Sequence, residues 1–500
     1  MDCPIRLVRL LLWSYFFLVL VLPGATVLWA TLAHFSPSIL TDRIYLSSLL
    51  HSLSIASATT FLATLIGTFS AVLVAKYKLP GQKLWTLLLS LPILFVPYQF
   101  ALAWSALLPS GKLSLLLFSP VGVIFVLTGS FYPLAFWLAL MGFFSIPPEE
   151  EESGLLVAPP RRVFFKITLP RARPYILSAA LIIFLLAFSE VGVPTYLGVT
   201  VLPCEILTRF AAFYDVPVAL TAAFPLTLLG LGLFLLEAAA LRRGLCFQQR
   251  MSERGLRFTP GIFKGPFLLF LGTVILLFTL VPFWALLQEA AELKDIILAL
   301  KHAGGALLRS LFYSLATACL AGLWALGTVY FLKSQRGLFS LVTLLDFFLP
   351  PVVLAVGLIY FWQDLPWVYG STLLLLLGLL ARFSFLPQQV LSSAYEHLDP
   401  AGEEAALLCG TRPLKVLLKI IYPQLRRWFY LGTMLVFVFS MNELGLSTML
   451  YPPGGEPLVV SLYTLSVNNP VGVSATLALM NSLGTLGLAA FLYWKGTPNE

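Results

Sequence analysis

Two glutamates, Glu190 and Glu443, interrupt apolar stretches of the sequence and share one local pattern. Each is followed two residues later by a glycine and five residues later by a threonine, Thr195 in the first case and Thr448 in the second. Hard cations prefer carboxylate oxygens as ligands, so the two glutamates are candidate metal ligands. The alternative is that each carboxylate bonds backbone groups freed at the nearby glycine and so fixes a helix break.

Asp346 and Arg382 also lie in apolar stretches, where an isolated charge is costly and usually has a partner. Their opposite signs predict an ion pair with a structural role. The four histidines and five cysteines have no metal-ligand spacing, and the cysteines form no disulfide framework. The sequence also lacks the Gly-x-x-x-x-Gly-Lys-Ser/Thr loop that cradles ATP phosphates. We therefore expect this chain neither to be an enzyme nor to bind a cofactor itself.

Two polar segments have the same design. Residues 404–410 are Glu-Ala-Ala-Leu-Leu-Cys-Gly, and a run that ends in proline, Ile-Ile-Tyr-Pro, follows at 420–423. A weaker copy at 152–158 is Glu-Ser-Gly-Leu-Leu-Val-Ala, and Ile-Thr-Leu-Pro follows it at 167–170. The weaker copy lacks the final glycine, and Pro159 comes directly after it. Because the pattern recurs, it favours a docking element over a plain connector.

The second segment predicts two short helices. Asp399 can cap the first helix, its early glutamates suit the N-terminal dipole, and Gly410 ends it. Thr411 can cap the second helix, in which leucines and isoleucines recur with a helical period and form one apolar stripe. Pro423 is expected to stop this amphipathic helix before the next apolar stretch.

The surrounding sequence is that of a membrane protein. Of its 500 residues, 59% are hydrophobic and 11% are charged, and the mean hydropathy is +0.92, whereas about 25% of residues are charged in soluble domains. A helix needs about 20 apolar residues to cross a hydrocarbon core about 30 Å thick. Twelve such stretches predict an all-α polytopic membrane protein. These spans 1 to 12 cover residues 9–32, 52–75, 85–108, 119–143, 175–197, 216–241, 265–287, 308–332, 338–362, 366–390, 427–449 and 470–494.

Lysine and arginine concentrate in the loops that follow even-numbered spans, for example Arg161 and Arg162 after span 4. Such residues resist translocation and stay on the cytoplasmic side. Both termini and both polar segments are therefore predicted to be cytoplasmic. This topology accounts for the net charge of +8, so the charge indicates the lipid bilayer as surroundings and no nucleic acid as partner.

Similar features recur at a nearly constant separation of about 254 residues, the mark of an internal repeat. Six spans in each half is an even number, so the two repeats run in the same direction through the membrane. Three matching positions show the repeat. They are Pro97 with Pro351, Pro133 with Pro387, and Glu190 with Glu443.

This repeat divides the chain into two predicted six-span halves, residues 1–245 and 265–500. Between them lies a basic cytoplasmic linker at 246–264 that has no helical apolar period. A substrate pathway is expected between the halves, where the two glutamates and the two threonines that follow them are candidate lining residues.

The Glu-Ala-Ala start, the glycine six residues later and the Ile-x-x-Pro ending resemble the EAA loop of bacterial ABC importer permeases. In that family a short coupling helix at this loop fits a groove on the ATPase subunit. The resemblance implies that eight residues of the two segments dock the ATPase. They are Glu404, Ala405, Ala406 and Gly410 in the second segment and Glu152, Ser153, Gly154 and Ala158 in the first.

The fused halves, the stretch Pro-Tyr-Gln-Phe-Ala-Leu-Ala-Trp at 97–104 and the matched glutamates look most like the iron(III) permeases of this family. The resemblance implies transport of ferric iron, with thiamine, molybdate and organophosphonates as alternatives. It also implies two copies of a cytoplasmic ATPase that binds ATP and magnesium, an extracytoplasmic substrate-binding protein, and a bacterial inner membrane. A gradient-driven transporter of twelve spans is the alternative from another class, although the loop at 76–83 lacks the Gly-Asp-Arg-rich pattern of the major facilitator family.

Overall fold

The structure is a computed structural model that describes residues 3–22, 24–26, 29, 42–211, 216–242, 257–259, 261–468 and 470–496. Over these residues the chain is helical, apart from turns and one isolated β-bridge between Tyr77 and Phe258. The predicted all-α polytopic membrane fold is confirmed. Residues 23, 27, 28 and 30–32 of predicted span 1, residues 246–256 and 260 of the predicted linker, and both chain ends lie outside the described residues.

Within the described residues, seven helices are long and apolar enough to cross a membrane, and up to ten if each of three bent helix pairs is one span. The seven continuous helices correspond to spans 1, 2, 4, 5, 7, 8 and 12. They are Arg6–Thr26, Arg43–Lys76, Pro120–Phe144, Pro160–Phe188, Gly261–Glu289, Gly304–Phe331 and Val471–Leu492.

Spans 3 and 9 are sharply bent at equivalent positions. Span 3 consists of Gln82–Leu94 and Pro97–Leu107, and span 9 of Lys333–Phe348 and Pro351–Trp362, with bends of 96° and 105°. In both, the second helix begins at the proline predicted to be equivalent, because the residue before a proline avoids the helical conformation. Span 10, formed by Thr372–Phe383 and Phe385–Glu396, bends by only 43°.

Spans 6 and 11 are helical but less suited to lipid along their full length. Span 6 is the helix Val216–Arg242, of which the apolar part is Thr221–Leu236. Span 11 is Tyr422–Met441 and carries two arginines in its first turns. Each of the twelve predicted spans thus overlaps a helix or a bent pair of helices in the part of the chain that the structure describes. The shorter connecting helices are Lys112–Leu117, Pro148–Val157, Gly192–Tyr196, Leu202–Ala211, Ala401–Leu408, Ser447–Leu450 and Leu458–Asn468.

The predicted stop at Pro423 is wrong, because the helix that begins at Pro413 continues into span 11. A π-helical turn at Leu417–Ile421 precedes the proline, and the Tyr422 N–H donates to the Leu417 carbonyl five residues back. This wider turn accommodates a residue that has no N–H and a bulky ring. The prediction that Thr411 caps this helix is also wrong, since no side chain caps its first turn.

The first half uses the same arrangement. A π-helical turn at Phe164–Thr168 precedes Pro170 within the continuous helix Pro160–Phe188. Spans 5 and 11 therefore begin earlier than predicted and end earlier, at Phe188 and Met441. In each half one continuous helix joins the polar segment to the region of the membrane glutamate.

The first span of each half packs on the other half. In span 1 the Trp13 ring lies 5.2 Å from the Phe339 ring, and the Tyr15 hydroxyl is 2.6 Å from Ser384 Oγ. In span 7 the Phe278 ring lies 5.7 Å from Tyr132 of span 4. The packing units therefore differ from the sequence halves by an exchange of their first spans.

The described end of the linker is fixed to span 2. The Phe258 N–H donates to the Lys76 carbonyl at 2.7 Å, and the Lys78 N–H donates to the Phe258 carbonyl at 3.0 Å. Arg257 Nη1 adds a hydrogen bond of 2.8 Å to Gln82 Oε1. The helical run of span 7 then starts at Gly261, four residues before the predicted start, so the linker is anchored on the first half next to the first polar segment.

Candidate functional site

The two polar segments form short helices, the first loop helix Pro148–Val157 and the second loop helix Ala401–Leu408. The second begins as predicted, with the Ala401 N–H donating to Asp399 Oδ1 at 3.0 Å. It also ends as predicted, because Gly410 adopts the left-handed conformation with φ +74°. The Thr411 N–H donates to the Ala406 carbonyl at 3.1 Å, the bond of a Schellman turn.

The first loop helix ends differently. Ala158, at the position of the missing glycine, is extended with φ −146° and ψ 149°, and the next helix starts at Pro160. A left-handed turn is costly for a residue with a side chain, so the chain leaves the first loop helix at another angle. The missing glycine therefore goes with a different end of the first loop helix.

An ion pair between a buried glutamate and a lysine anchors each loop helix, and sequence reasoning missed both pairs. In the first half, Lys76 Nζ lies 2.7 and 2.8 Å from the two Glu151 oxygens, and Thr168 Oγ1 donates to Glu151 at 2.7 Å. Lys76 is 4% exposed and Glu151 3% exposed. In the first half this pair ties the loop helix to the end of span 2.

In the second half Lys333 Nζ pairs with Glu403, and the Tyr395 hydroxyl donates to the same carboxylate at 2.5 Å. Lys333 follows span 8 as Lys76 ends span 2. A lysine at the end of the second span in each half was the available sequence signal. The partners of these lysines are Glu151 and Glu403, each one residue before a candidate docking glutamate.

The candidate docking residues divide into exposed and packed positions. Glu152 and Ser153 are exposed, as are Glu404 and Ala405. Gly154 packs closely, because a Cβ there would lie 2.7 Å from Ile167 Cδ1. Its equivalent, Ala406, is half-buried, whereas Gly410 is exposed and Ala158 is half-buried.

Each loop helix also presents an exposed leucine near its C-terminal end. Leu156 is 87% exposed and Leu408 is 88% exposed. These residues occupy the same place in the repeated pattern, 252 residues apart. A large apolar side chain held in water at the same point of both helices suits burial against a protein partner.

The membrane glutamates lie at breaks that follow spans 5 and 11. Glu190 Oε1 accepts hydrogen bonds from the backbone N–H groups of Gly192 and Val193, at 3.1 and 3.5 Å. Glu443 Oε1 accepts from the Leu446 N–H at 3.1 Å. Each carboxylate thus bonds backbone freed by the break, which is the alternative to metal ligation.

The breaks after spans 5 and 11 lie close to each other and to the bends of spans 3 and 9. A Cβ on Gly192 would lie 2.7 Å from Leu444 Cδ2, 3.2 Å from Glu190 Oε1 and 3.6 Å from Tyr98 Cβ. A Cβ on Gly445 would lie 3.4 Å from Pro351 Cβ. Two helix breaks and two bends therefore converge between the halves, where a pathway was predicted.

Arg382 pairs with Glu443 and not with Asp346, so the predicted Asp346–Arg382 pair is wrong. Arg382 Nε lies 3.2 Å from Glu443 Oε2, and Nη1 donates to the Leu349 carbonyl at 3.1 Å. Asp346 is fully buried, and neither carboxylate oxygen has a hydrogen-bond partner among the described residues. The break after span 11 brings Glu443 to the guanidinium, and the linear sequence contained no sign of that approach.

The candidate threonines bond their own helices. Thr195 Oγ1 donates to the Val191 carbonyl at 2.8 Å, and Thr448 Oγ1 donates to the Leu444 carbonyl at 2.7 Å. The Thr195 hydroxyl also lies 3.0 Å from Cys204 Sγ. Among the described residues no group of three or more His, Cys, Asp or Glu could hold a metal ion.

Three tyrosines that sequence reasoning missed gather beside the Glu190 break. The Tyr98 ring lies 5.0 Å from the Tyr196 ring and 5.6 Å from the Tyr463 ring, both edge to face. The Tyr98 hydroxyl bonds Ser466, and the Tyr196 hydroxyl lies 2.7 Å from Ser105 Oγ. The only sequence signal was Tyr98 directly after the proline of span 3.

No family model matches the chain. It is 29% identical over 218 residues to PhnV of Salmonella typhimurium, a 2-aminoethylphosphonate transport system permease protein, with 41% of this chain and 81% of that protein covered. The chain is thus similar to a permease protein of a bacterial transport system. This chain is also 33% identical over 108 residues to the putrescine transport system permease protein PotI of Escherichia coli K12, and 26% identical over 161 residues to PhnU of Salmonella typhimurium. These two alignments cover 21% and 32% of this chain and 37% and 51% of those proteins.

Proposed function

We propose that this chain supplies both permease halves of an ABC importer and couples to two separate ATPase subunits through its two loop helices. The observation that carries the proposal is the repeated loop helix, anchored in each half by an ion pair between a buried glutamate and a lysine and ending in an exposed leucine. The alignment with PhnV supports two halves in one chain, since it covers most of that protein but less than half of this one.

The docking surface comprises the exposed side chains of the loop helices. Their glutamates offer negative charge and their terminal leucines offer apolar area, a combination that suits a groove with a basic rim. The candidate docking residues that are packed, and not exposed, keep each loop helix close to its own helix bundle. The exposed members are Glu152, Ser153 and Leu156 in the first helix, Glu404, Ala405 and Leu408 in the second, and Gly410 in the turn that follows the second.

Continuous helices connect the docking surface to the centre of the membrane. Pro160–Phe188 leads from the first loop helix to the Glu190 break, and the run from Pro413 to Met441 leads from the second to the Glu443 break. A movement of either loop helix is therefore passed along one rigid element. ATP drives such a movement if it binds the two states of the complex with different affinity.

The further parts of the system follow from the same assignment. ATP and magnesium belong to the ATPase subunits, and an extracytoplasmic binding protein delivers the substrate. The distribution of lysine and arginine supports a bacterial inner membrane protein with both termini and both loop helices in the cytoplasm.

We propose a small organic substrate in place of ferric iron. The relatives are named for 2-aminoethylphosphonate and putrescine transport. Glu443 is paired with a guanidinium, and Glu190 bonds two backbone N–H groups, which leaves few oxygens for a hard cation.

Uptake into proteoliposomes tests this function. The vesicles contain this chain with the ATPase subunit encoded nearest to it and are given its binding protein with labelled 2-aminoethylphosphonate, putrescine or ferric iron. We expect ATP-dependent accumulation of an organic probe. Accumulation of iron would overturn the substrate proposal, and uptake that follows an ion gradient without ATP would overturn the importer assignment.

A further inference from the structure

The two halves differ in charge at their equivalent glutamates. Arg382 of span 10 pairs with Glu443, whereas no ion pair of Glu190 is present in the part of the chain that the structure describes. The position equivalent to Arg382 in the first half is Thr128, 254 residues earlier. Thr128 is buried, and its hydroxyl has no hydrogen-bond partner among the described residues. The first half therefore keeps the carboxylate without a cation of its own at the equivalent position, and the Arg382 charge, which also acts on Glu190, is paired with Glu443.

The halves also differ in the side chains around the breaks. Tyr98 and Tyr196 of the first half have Val352 and Met449 as their equivalents in the second, at separations of 254 and 253 residues. At these two positions the Glu190 side thus has tyrosines, and the Glu443 side has apolar residues. Tyr463 belongs to the second half, but its ring packs on Tyr98 and completes the aromatic group on the Glu190 side.

A carboxylate with several aromatic rings beside it is the arrangement that recognises organic ammonium groups. The carboxylate attracts the charge, and the electron-rich ring faces attract it further, most strongly where water is excluded. Glu190 Oε1 and the Cβ atom of Tyr98 lie within 4 Å of one point, the position of a Cβ on Gly192, so the base of the Tyr98 side chain is close to the carboxylate. Tyr196 and Tyr463 are only half-buried, so the group is open on one side.

We propose that Glu190 with Tyr98, Tyr196 and Tyr463 forms a one-sided site for the ammonium group of a primary amine substrate. This inference rests on the proposed function, because it specifies the substrate of the same importer. Glu443 has no such role, because Arg382 already neutralises it. The same ammonium chemistry occurs in polyamines and in aminoalkylphosphonates.

Equilibrium dialysis tests this site on the complex of the full chain with its ATPase subunit in nanodiscs. The binding protein is left out, because its own selectivity would mask that of the membrane site. The probes are labelled putrescine, labelled 2-aminoethylphosphonate, and unlabelled ethylphosphonate, which lacks the amine. We expect saturable binding of at least one labelled amine and no competition by ethylphosphonate. Equal competition by ethylphosphonate, or no binding of either amine, would overturn the site.

Matched variants in the two halves sharpen the test. Glu190→Gln should weaken amine binding about tenfold or more, since it removes a charge-assisted contact. Thr128→Arg should do the same by supplying the first half with the cation of the second. Glu443→Gln should change binding by less than about threefold. Equal weakening by Glu443→Gln and Glu190→Gln would contradict the one-sided site.

Tyr98 allows a test that keeps the carboxylate. Tyr98→Phe retains the ring and should bind amine within about threefold of the parent chain, whereas Tyr98→Val copies the second half and should lose about tenfold. Equal affinity of the Phe and Val variants would contradict the role of the ring. ATP hydrolysis stimulated by the binding protein, measured on the same preparation, reports on the importer assignment independently of the amine site.

Discussion

At the scale of residues, neighbouring glutamates in the loop helices have different structural roles. Glu151 is buried against Lys76 and Thr168, while Glu152 is exposed to the surroundings. A charge taken out of water is tolerated only with a close partner and further hydrogen bonds, which Glu151 has. The inner glutamate therefore fixes the helix, and the outer one is free to meet a partner.

Replacement of Glu151 by glutamine should destabilise the chain by about 3 kcal/mol, because the Lys76 charge would stay buried without its partner. Thermal unfolding of the purified chain in detergent measures the effect. Glu152→Gln is the matched control and should change stability by less than about 0.5 kcal/mol. Similar unfolding midpoints for the two variants would contradict an anchoring role of Glu151.

At the scale of elements, the sequence predicted the spans and the site of each break better than it predicted how the helices continue. Matching prolines marked the bends of spans 3 and 9 because proline acts on its own backbone. The helix stop predicted at Pro423 was wrong, because that prediction considered only the proline's own effect on the backbone, whereas a π-helical turn accommodates the proline. The Glu443–Arg382 pair was missed because the partners are 61 residues apart and meet only through the break.

The end of the second loop helix gives a prediction at this scale. Gly410→Ala should cost about 1 kcal/mol, because alanine is disfavoured at φ +74°. Local opening should then raise amide exchange across residues 405–412 about fivefold. Hydrogen exchange read by mass spectrometry measures this change. Ala158→Gly is the control, because Ala158 is extended, and a matching increase around residue 158 would argue against the left-handed turn as cause.

At the scale of the whole molecule, the exchanged first spans make the two halves depend on one another. Span 1 packs on the second half through Trp13 and Tyr15, and span 7 packs on the first half through Phe278. Hydropathy defines spans but not which spans touch, so sequence periodicity contained no sign of this exchange. The exchange supports one folded unit that contains both halves.

A chain divided between residues 250 and 251 tests this dependence. Co-expressed fragments 1–250 and 251–500 should assemble in the membrane and copurify, because the exchanged contacts need no covalent link. Each fragment alone should be degraded or aggregate, since its first span lacks the surface on which it packs. Size-exclusion chromatography after solubilisation distinguishes the cases. A stable, monodisperse fragment 251–500 without its partner would contradict the exchange.

In the proposed importer, one copy of this chain provides both permease halves and docks two ATPase subunits. Native mass spectrometry of the complex, purified through a tag on this chain in the presence of a non-hydrolysable ATP analogue, tests it most directly. We expect the measured mass to correspond to one copy of this chain with two ATPase subunits. Two copies of this chain with two ATPase subunits, or a chain that recruits no ATPase under conditions in which its subunits dimerise, would contradict it.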